Sequence, residues 1–320
     1  MEYLILLISL AGIVFGADFL VAGAVSIARK FKVSDFVIGA AIVGVGTSMP
    51  ELVVSFMGAL GGNPDVAIGN VVGSNIFNVL GILGVTALFF PVALEKKNLR
   101  FEVPVCILLS ILLTFMAVDL HKGEGFGVIS SFDGILLLIG FAGFMWYSFR
   151  RDRKDSDVEQ VSDSSSQSES LFRAIVKVIG GLALLILSSD FFVDNAVLIA
   201  KSFGVNDAFI SLTLIACGTS LPELAASVAA ALKKNTDMAF GNIIGSNIFN
   251  ISLILGLSSQ VLPLTSSGIT LIDYGVMIFA ALLPLIFGLR GKIGRVGGGV
   301  MFMLFVLYNI YLIFIQTAQW

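Results

Sequence analysis

Charged residues are scarce in this 320-residue sequence: Asp, Glu, Lys and Arg make up only 13%, against about 25% in a soluble domain. Histidine is nearly absent, with His121 alone, too little for a multi-histidine metal site. The two cysteines, Cys106 and Cys217, both lie inside apolar runs, so no disulfide framework is implied. The net charge is −3 and no basic patch is large enough to follow a phosphate backbone, which excludes nucleic acid as a partner. Apolar side chains are what the chain has in excess, 57% of all residues, with a mean hydropathy of +0.99. A water-soluble enzyme is excluded, and the chain reads as an all-α integral membrane protein.

Apolar stretches recur at 3–28, 36–60, 66–93, 101–118, 132–149, 174–199, 207–232, 238–262, 268–288 and 297–316. Each is long enough to cross a hydrocarbon layer of about 30 Å, so the sequence predicts ten transmembrane helices. The first stretch has no basic n-region and exceeds signal-peptide length, and so reads as a retained helix. The longest polar interruption opens with Arg150, Arg151, Arg153 and Lys154 and continues as an Asp/Ser/Glu/Gln tract. It has no apolar residues from which to build a core. The expected organisation is a first five-helix repeat at 1–149, a flexible linker at 150–172 and a second five-helix repeat at 173–320.

Basic residues orient this arrangement. With the amino terminus outside, 17 of the 19 lysines and arginines fall in inside segments, and only Lys122 and Lys201 fall outside. Positive charge in short loops stays cytoplasmic, so both termini are expected to face out and the linker to face the cytoplasm. The lack of large regulatory domains points to a prokaryotic inner membrane, and membrane lipid is the surrounding partner. Nothing in the sequence demands a cofactor or an obligate protein partner.

Adding 172 to a residue number maps the first half onto the second without a gap. Between Asp18–Gly84 and Asp190–Gly256, 34 of 67 positions are identical, and many of the matches are polar, Gly or Pro. Five helices per repeat is an odd number, so the second copy enters the membrane from the opposite side. Inverted-topology repeats with matching Gly/Pro-interrupted helices are the sequence signature of a secondary transporter, whose substrate site lies near the midplane between the repeats.

Two motif pairs carry the chemistry. Gly46-Thr47-Ser48-Met49-Pro50-Glu51 is matched by Gly218-Thr219-Ser220-Leu221-Pro222-Glu223, each in the middle of an apolar helix. The prolines lack an N–H and collide with the turn before them, which should free carbonyls near Gly44–Gly46 and Ala216–Gly218. A carboxylate at membrane depth costs about 2.5–3.5 kcal/mol on insertion scales unless paired or hydrated. No lysine or arginine lies near Glu51 or Glu223 in sequence, so a bound cation or a proton must supply the counter-charge. The second pair is Gly73-Ser74-Asn75-Ile76-Phe77-Asn78 with Gly245-Ser246-Asn247-Ile248-Phe249-Asn250. Ser74 and Asn78, and likewise Ser246 and Asn250, are spaced i, i+4 on one helix face. Interhelical hydrogen bonding is the structural alternative for this motif; beside the glutamates, a ligand role is the stronger reading.

The inventory is all oxygen, with no His or Cys placed as a ligand apart from Cys217 beside the break. Hard cations want such a set, and calcium takes six to eight oxygens at about 2.3–2.6 Å, whereas zinc and copper favour thiolate or imidazole. Two formal negative charges match one divalent ion or at least two monovalent ones, which is the electrostatic basis for exchange.

These paired motifs in inverted halves resemble the sodium/calcium exchanger family of the cation/calcium antiporter superfamily, over essentially the whole chain. The resemblance implies that helices 2, 3, 7 and 8 form the core and that helices 1 and 6 slide past it. It implies calcium held by Thr47, Glu51, Thr219 and Glu223. Sodium sites would add Ser48, Ser74, Asn78, Ser220, Ser246 and Asn250, with backbone oxygens of Gly44 and Ala216. Some relatives carry Asp at the position of Asn250; two amides here lower the expectation of potassium co-transport. The GNxTE-type motif of the cation/proton branch is absent.

The expected function is sodium-for-calcium antiport by alternating access, with calcium/proton antiport as the alternative. A cation channel would be built from a ring of subunits, and an intramembrane hydrolase would need a Ser–His pair or paired aspartates. Asp18 and Asp190 are expected to be structural, bonded to core backbone or protonated, and Asp35 and Asp207 to be N-caps. His121 reads as solvated, and the Phe and Leu stripes as lipid-facing.

Overall fold

The computed structural model describes residues 2–31, 33–118, 127–156, 170–203, 216–266, 269–289 and 291–318. The expectations for His121 and Lys122, for Asp207 and for most of the polar tract lie outside the described residues. In the first half, α1 runs Glu2–Phe31 and α2 runs Asp35–Thr47 and Met49–Leu60. They are followed by α3 (Pro64–Phe89), α4 (Lys96–Ala117) and α5 (Ser131–Ser156). The second half holds α6 (Leu171–Ser202), α7 (Ala216–Gly218 and Leu221–Leu232), α8 (Thr236–Val261), α9 (Leu271–Gly288) and α10 (Arg295–Ala318). The ten-helix inverted repeat expected from the sequence is the architecture found. Helix α5 runs on through Arg150 and Arg151 to Ser156.

Eight of these helices are individually long and apolar enough to span, and the bent α2 makes a ninth. Leu221–Leu232 is shorter; it begins just after Ser220 and has the 12 residues of its counterpart Met49–Leu60. At about 1.5 Å per residue, the 30 residues of α1 and 32 of α6 exceed a bilayer core of about 30 Å, an excess that tilt or extension beyond the core accommodates.

Helices α3 and α8 are the most enclosed. Glycine permits the closest approach: a Cβ on Gly241 would stand 2.2 Å from the carbonyl oxygen of Phe36 in α2, and one on Gly245 would stand 2.5 Å from Ala40 Cα. The same device joins α1 to α6, where a Cβ on Gly181 would lie 2.5 Å from the backbone nitrogen of Leu20. In a membrane, where lipid tails are as apolar as leucine, such close packing is a main source of helix association.

Large apolar side chains such as Phe15, Trp146, Phe172 and Phe314 are exposed on the outer helices, as a lipid-facing surface requires. Not every phenylalanine is lipid-facing bulk: Phe36 and Phe240 are buried against each other across the repeats, ring centroids 6.0 Å apart. Two further findings concern local structure, the first a correction. The cap of α2 is Ser34, whose hydroxyl accepts from the Val37 N–H at 3.3 Å, while Asp35 sits in the first turn. And two short ribbons accompany the all-α fold: β1 (Val92–Ala93) pairs antiparallel with β4 (Lys292–Ile293), and β2 (Val128–Ile129) pairs with β3 (Leu264–Thr265). Each two-residue ribbon ties one repeat to the other.

Candidate cation site

Both acid-bearing helices break as their prolines dictate. Helix α2 bends by 47° at Ser48, whose ψ of 10° leaves the helical range, and Pro50 falls in the first turn of the second half. Ser220 has the same geometry in α7 (φ −93°, ψ 11°), with Pro222 in the following turn. Pro is tolerated there because first-turn N–H groups lack intrahelical partners anyway. Each break places its glutamate at the positive end of a half-helix dipole, and both Glu51 and Glu223 are fully buried.

Neighbouring helices then fix the two breaks. Asn70 Nδ2 on α3 donates to the Glu51 carbonyl at 3.0 Å and to Ser55 Oγ at 2.9 Å. Asn242 Nδ2 on α8 donates to the Glu223 carbonyl at 3.2 Å and to Ser227 Oγ at 2.8 Å. Between repeats the hydroxyls cross over. Ser220 Oγ donates to Glu51 Oε1 and Ser48 Oγ to Glu223 Oε1, both at 2.7 Å. Ser220 also lies 3.3 Å from Ser74 Oγ. The i, i+172 symmetry of the sequence thus survives as bonding geometry.

A ring of four asparagines lies alongside. Asn78 Nδ2 donates to Asn247 Oδ1 at 3.0 Å, and Asn250 Nδ2 donates to Asn75 Oδ1 at 3.1 Å. Asn75 and Asn247 in turn donate to each other's backbone carbonyls, at 3.3 and 3.2 Å. The amide nitrogens of Asn78 and Asn250 are therefore occupied and their oxygens are left over. Local π-helical turns accompany these residues, at Gly39–Gly44, Phe77–Leu83 and Asn250–Ile254. Such turns are frequent at functional sites.

What remains unsatisfied is a set of oxygens. Glu51 Oε2, Glu223 Oε2, Asn78 Oδ1, Asn250 Oδ1 and Thr219 Oγ1 are all buried without a hydrogen-bond partner. Among the described residues, no lysine or arginine forms an ion pair with either glutamate. Nor do these residues contain a cluster of three or more His, Cys, Asp or Glu. Buried polar atoms are normally paired, so symmetry-related orphaned acceptors on two carboxylates and two amides mark a place for a positive charge.

The expected site residues distribute unevenly around it. Ser48, Glu51, Ser74, Ser220 and Glu223 are joined through the crossed hydroxyls, and Asn78 and Asn250 through the asparagine ring. Thr47 Oγ1 donates to Asn242 Oδ1 at 3.2 Å. The Gly44 carbonyl is not left free by Pro50: it accepts from Ser48 N–H at 3.1 Å, Ser246 Oγ at 3.3 Å and Thr47 Oγ1 at 3.4 Å. Ala216 opens the described part of α7. Asn70, Asn75, Asn242 and Asn247 were not singled out as site residues. Their identity in both repeats was the available signal.

Asp18 meets a lysine of the other repeat and not the core backbone. Lys233 Nζ meets its Oδ1 at 2.7 Å and its carbonyl oxygen at 2.8 Å. The position matching Lys233 in the first repeat is Gly61, so the repeat does not duplicate the latch between α1 and α7. Exposed pairs contribute about 1 kcal/mol at most. Lys233→Gln is accordingly expected to change initial transport rates by no more than roughly fivefold, with recovery in an Asp18→Lys, Lys233→Asp swap. An unaltered rate in Lys233→Gln would remove the latch from the mechanism.

A family model described as sodium/calcium exchanger protein matches residues 1–150 and 173–314. The putative antiporter CaxA of Alkalimonas amylolytica is 39% identical over 315 residues, 96% of this chain and 97% of that one. The sodium/calcium exchanger MaX1 of Methanosarcina acetivorans is 35% identical over 349 residues, 98% of this chain and 99% of its own. Among solved structures, the sodium-calcium exchanger NCX_Mj soaked with zero Na+ and Ca2+ superposes with a TM-score of 0.83 at 32% identity, covering 97% of this chain and 98% of that one. With ten helices, inverted repeats and crossed motif pairs already in place, these likenesses are sufficient: the chain belongs to the sodium/calcium exchanger family.

Proposed function

We propose that the protein is a sodium-for-calcium antiporter in which Glu51 and Glu223 jointly hold the divalent ion. The observation that carries this is the set of buried acceptors without partners: two carboxylate oxygens and two amide oxygens related by the repeat, plus Thr219 Oγ1. Calcium takes six to eight oxygens, and the two oxygens of each glutamate with the hydroxyls of Thr47 and Thr219 number six. Thr47, Glu51, Thr219 and Glu223 are assigned to calcium. Ser48, Ser74, Asn78, Ser220, Ser246 and Asn250, with the Gly44 and Ala216 carbonyls, are assigned to sodium.

Two negative charges are neutralised by one calcium ion or by two or more sodium ions, and hardly by both at once. Competition for one site couples opposing fluxes without any covalent step. The repeats at 1–149 and 173–320 would rearrange about this site, with the connecting segment cytoplasmic and both termini outside.

Purified protein in liposomes, loaded with sodium and given radioactive calcium outside, is expected to accumulate calcium in proportion to the outward sodium gradient. Uptake driven by a proton gradient with no sodium present would instead establish calcium/proton antiport. Unitary currents in a planar bilayer would establish a channel.

Acid opposes calcium in either exchange mode, because a protonated carboxyl offers no negative charge to the metal. Calcium uptake is therefore expected to fall as the pH is lowered from about 8 to about 5. Uptake indifferent to pH over this range would count against ionised glutamates as ligands.

A further inference from the structure

Helix α6 lies across both helix breaks of the cation site. A Cβ on Gly46 would stand 3.0 Å from Leu182 Cδ2, and one on Gly218 would stand 2.6 Å from Val193 Cγ2. Both neighbours belong to α6, so this one helix covers the residue before Thr47 and the residue before Thr219. Leu182, Ile186, Ser189 and Val193 are spaced i, i+4, i+7 and i+11, which is one face of a helix. Ser189 therefore faces the core between the two breaks, about one turn from Val193.

Its hydroxyl has no partner there. Ser189 is 2% exposed, and its Oγ is buried without a hydrogen bond. Other helical serines bond to the turn before them: Ser26 donates to the Ala22 carbonyl at 3.0 Å and Ser110 to the Cys106 carbonyl at 2.9 Å. Ser189 does not, and Thr219 Oγ1, in the residue after Gly218, is orphaned likewise. The adjacent Ser188 turns to the other side, where its Oγ would stand 2.2 Å from a Cβ on Gly12 of α1. Ala17 occupies the position of Ser189 in the first repeat, so α1 has no matching hydroxyl and the repeat gives no sign of this one.

We propose that Ser189 supplies a further oxygen to the cation site, and that this oxygen binds sodium and not calcium. The proposal rests on the antiport reading above. Calcium is already offered six oxygens by Glu51, Glu223, Thr47 and Thr219, within the range it takes. Two or more sodium ions in its place must share the same two negative charges yet need more oxygens between them. A hydroxyl adds a ligand without adding charge, and so serves the monovalent ions. Because it stands on α6, apart from the helices that carry the motif pairs, sodium binding depends on α6 being seated over the two breaks.

The test is the sodium dependence of the purified full chain, read as the sodium-induced rise of the thermal midpoint and as calcium uptake into liposomes at graded internal sodium. Ser189→Ala is expected to raise the half-maximal sodium concentration roughly fivefold in both readouts, with the calcium-induced rise unchanged. Its midpoint without ions should be no lower, since alanine removes a buried hydroxyl that has no partner. Ser189→Cys keeps the shape but offers a soft sulfur, and is expected to behave like the alanine variant. Ser188→Ala is expected to leave the sodium response as it was. A sodium response in Ser189→Ala equal to that of the unaltered chain overturns the proposal and leaves the antiport reading standing. Equal losses for sodium and calcium overturn it as well, by making Ser189 a packing residue. An unaltered chain without sodium response in either readout sinks the antiport reading itself, and this proposal with it.

Discussion

Glu223→Gln, like Glu51→Gln, is expected to abolish calcium transport while leaving the protein folded. The structure separates the two oxygens of each carboxylate. Oε1 of Glu223 accepts the Ser48 hydroxyl at 2.7 Å, a role a glutamine oxygen can keep, whereas Oε2 is buried without a partner. The substitution thus removes the charge and turns the free oxygen into an amide donor, with little change of volume. At about 2.4 Å and an effective dielectric of about 20, a unit charge and a calcium ion attract by roughly 14 kcal/mol before the ion's lost hydration is counted. Even if nine-tenths of this is offset by desolvation, the remainder is about tenfold in affinity; full loss of one ligand charge is expected to reach roughly 100-fold, about 2.7 kcal/mol. The measurement is calcium-dependent thermal stabilisation together with uptake into sodium-loaded liposomes. Each single variant should retain its midpoint without calcium and lose the calcium-induced rise. Sodium-driven uptake surviving in either variant would overturn the assignment of that glutamate.

The reason this site could be read so far from the sequence lies in the repeat. A single buried glutamate beside a proline is ambiguous, but the 172-residue offset duplicates Thr47, Ser48, Pro50 and Glu51 as Thr219, Ser220, Pro222 and Glu223. Helix breaks were legible for the same reason, since the effect of proline on the preceding turn is local. Partner choice was not legible. Spacing puts Ser74 and Asn78 on one face but cannot say that Asn78 donates to Asn247 of the other repeat at 3.0 Å. That contact depends on how closely α3 and α8 cross. Asn75 and Asn247 lie one position from the serine and three from the second asparagine, off the presumed ligand face, and so escaped notice as positioning groups.

Backbone acceptors were misjudged by a related route. The N–H that Pro50 lacks would have served the Gly46 carbonyl; the Gly44 carbonyl keeps its helical donor, the Ser48 N–H, and the hydroxyls of Thr47 and Ser246 converge on it as well. A hydroxyl's orientation is a tertiary outcome. The two ribbons, each of two residues per strand, and the π-helical turns carry no periodicity of their own, so no pattern in the chain announces them. Capping of α2 by Ser34 instead of Asp35 is a shift of one residue, set by where the extended backbone at Ser34 (ψ 152°) turns into the helix.

Asn247→Leu is the second substitution expected to have a large effect, although Asn247 need not touch an ion. Leucine of similar size removes the acceptor of the Asn78 amide and the donor to the Asn75 carbonyl. Asn75 and Asn78 are 2% exposed or less, so two polar groups lose their partners where water cannot replace them, at about 1–3 kcal/mol each. The thermal midpoint should therefore drop by several degrees. The more telling consequence is rotational: an unrestrained Asn78 amide can turn its N–H groups toward the cation in place of Oδ1. Calcium affinity, measured well below the midpoint, is expected to fall roughly tenfold, about 1.4 kcal/mol. Because the ring closes on itself through Asn75 and Asn250, Asn75→Leu should act alike. The double variant should fall short of the sum of the two singles, as neighbours in one network do. A lowered midpoint with unaltered calcium affinity in both single variants would reduce the ring to helix-packing glue; a loss of affinity makes it the device that turns two amides into obligate oxygen ligands.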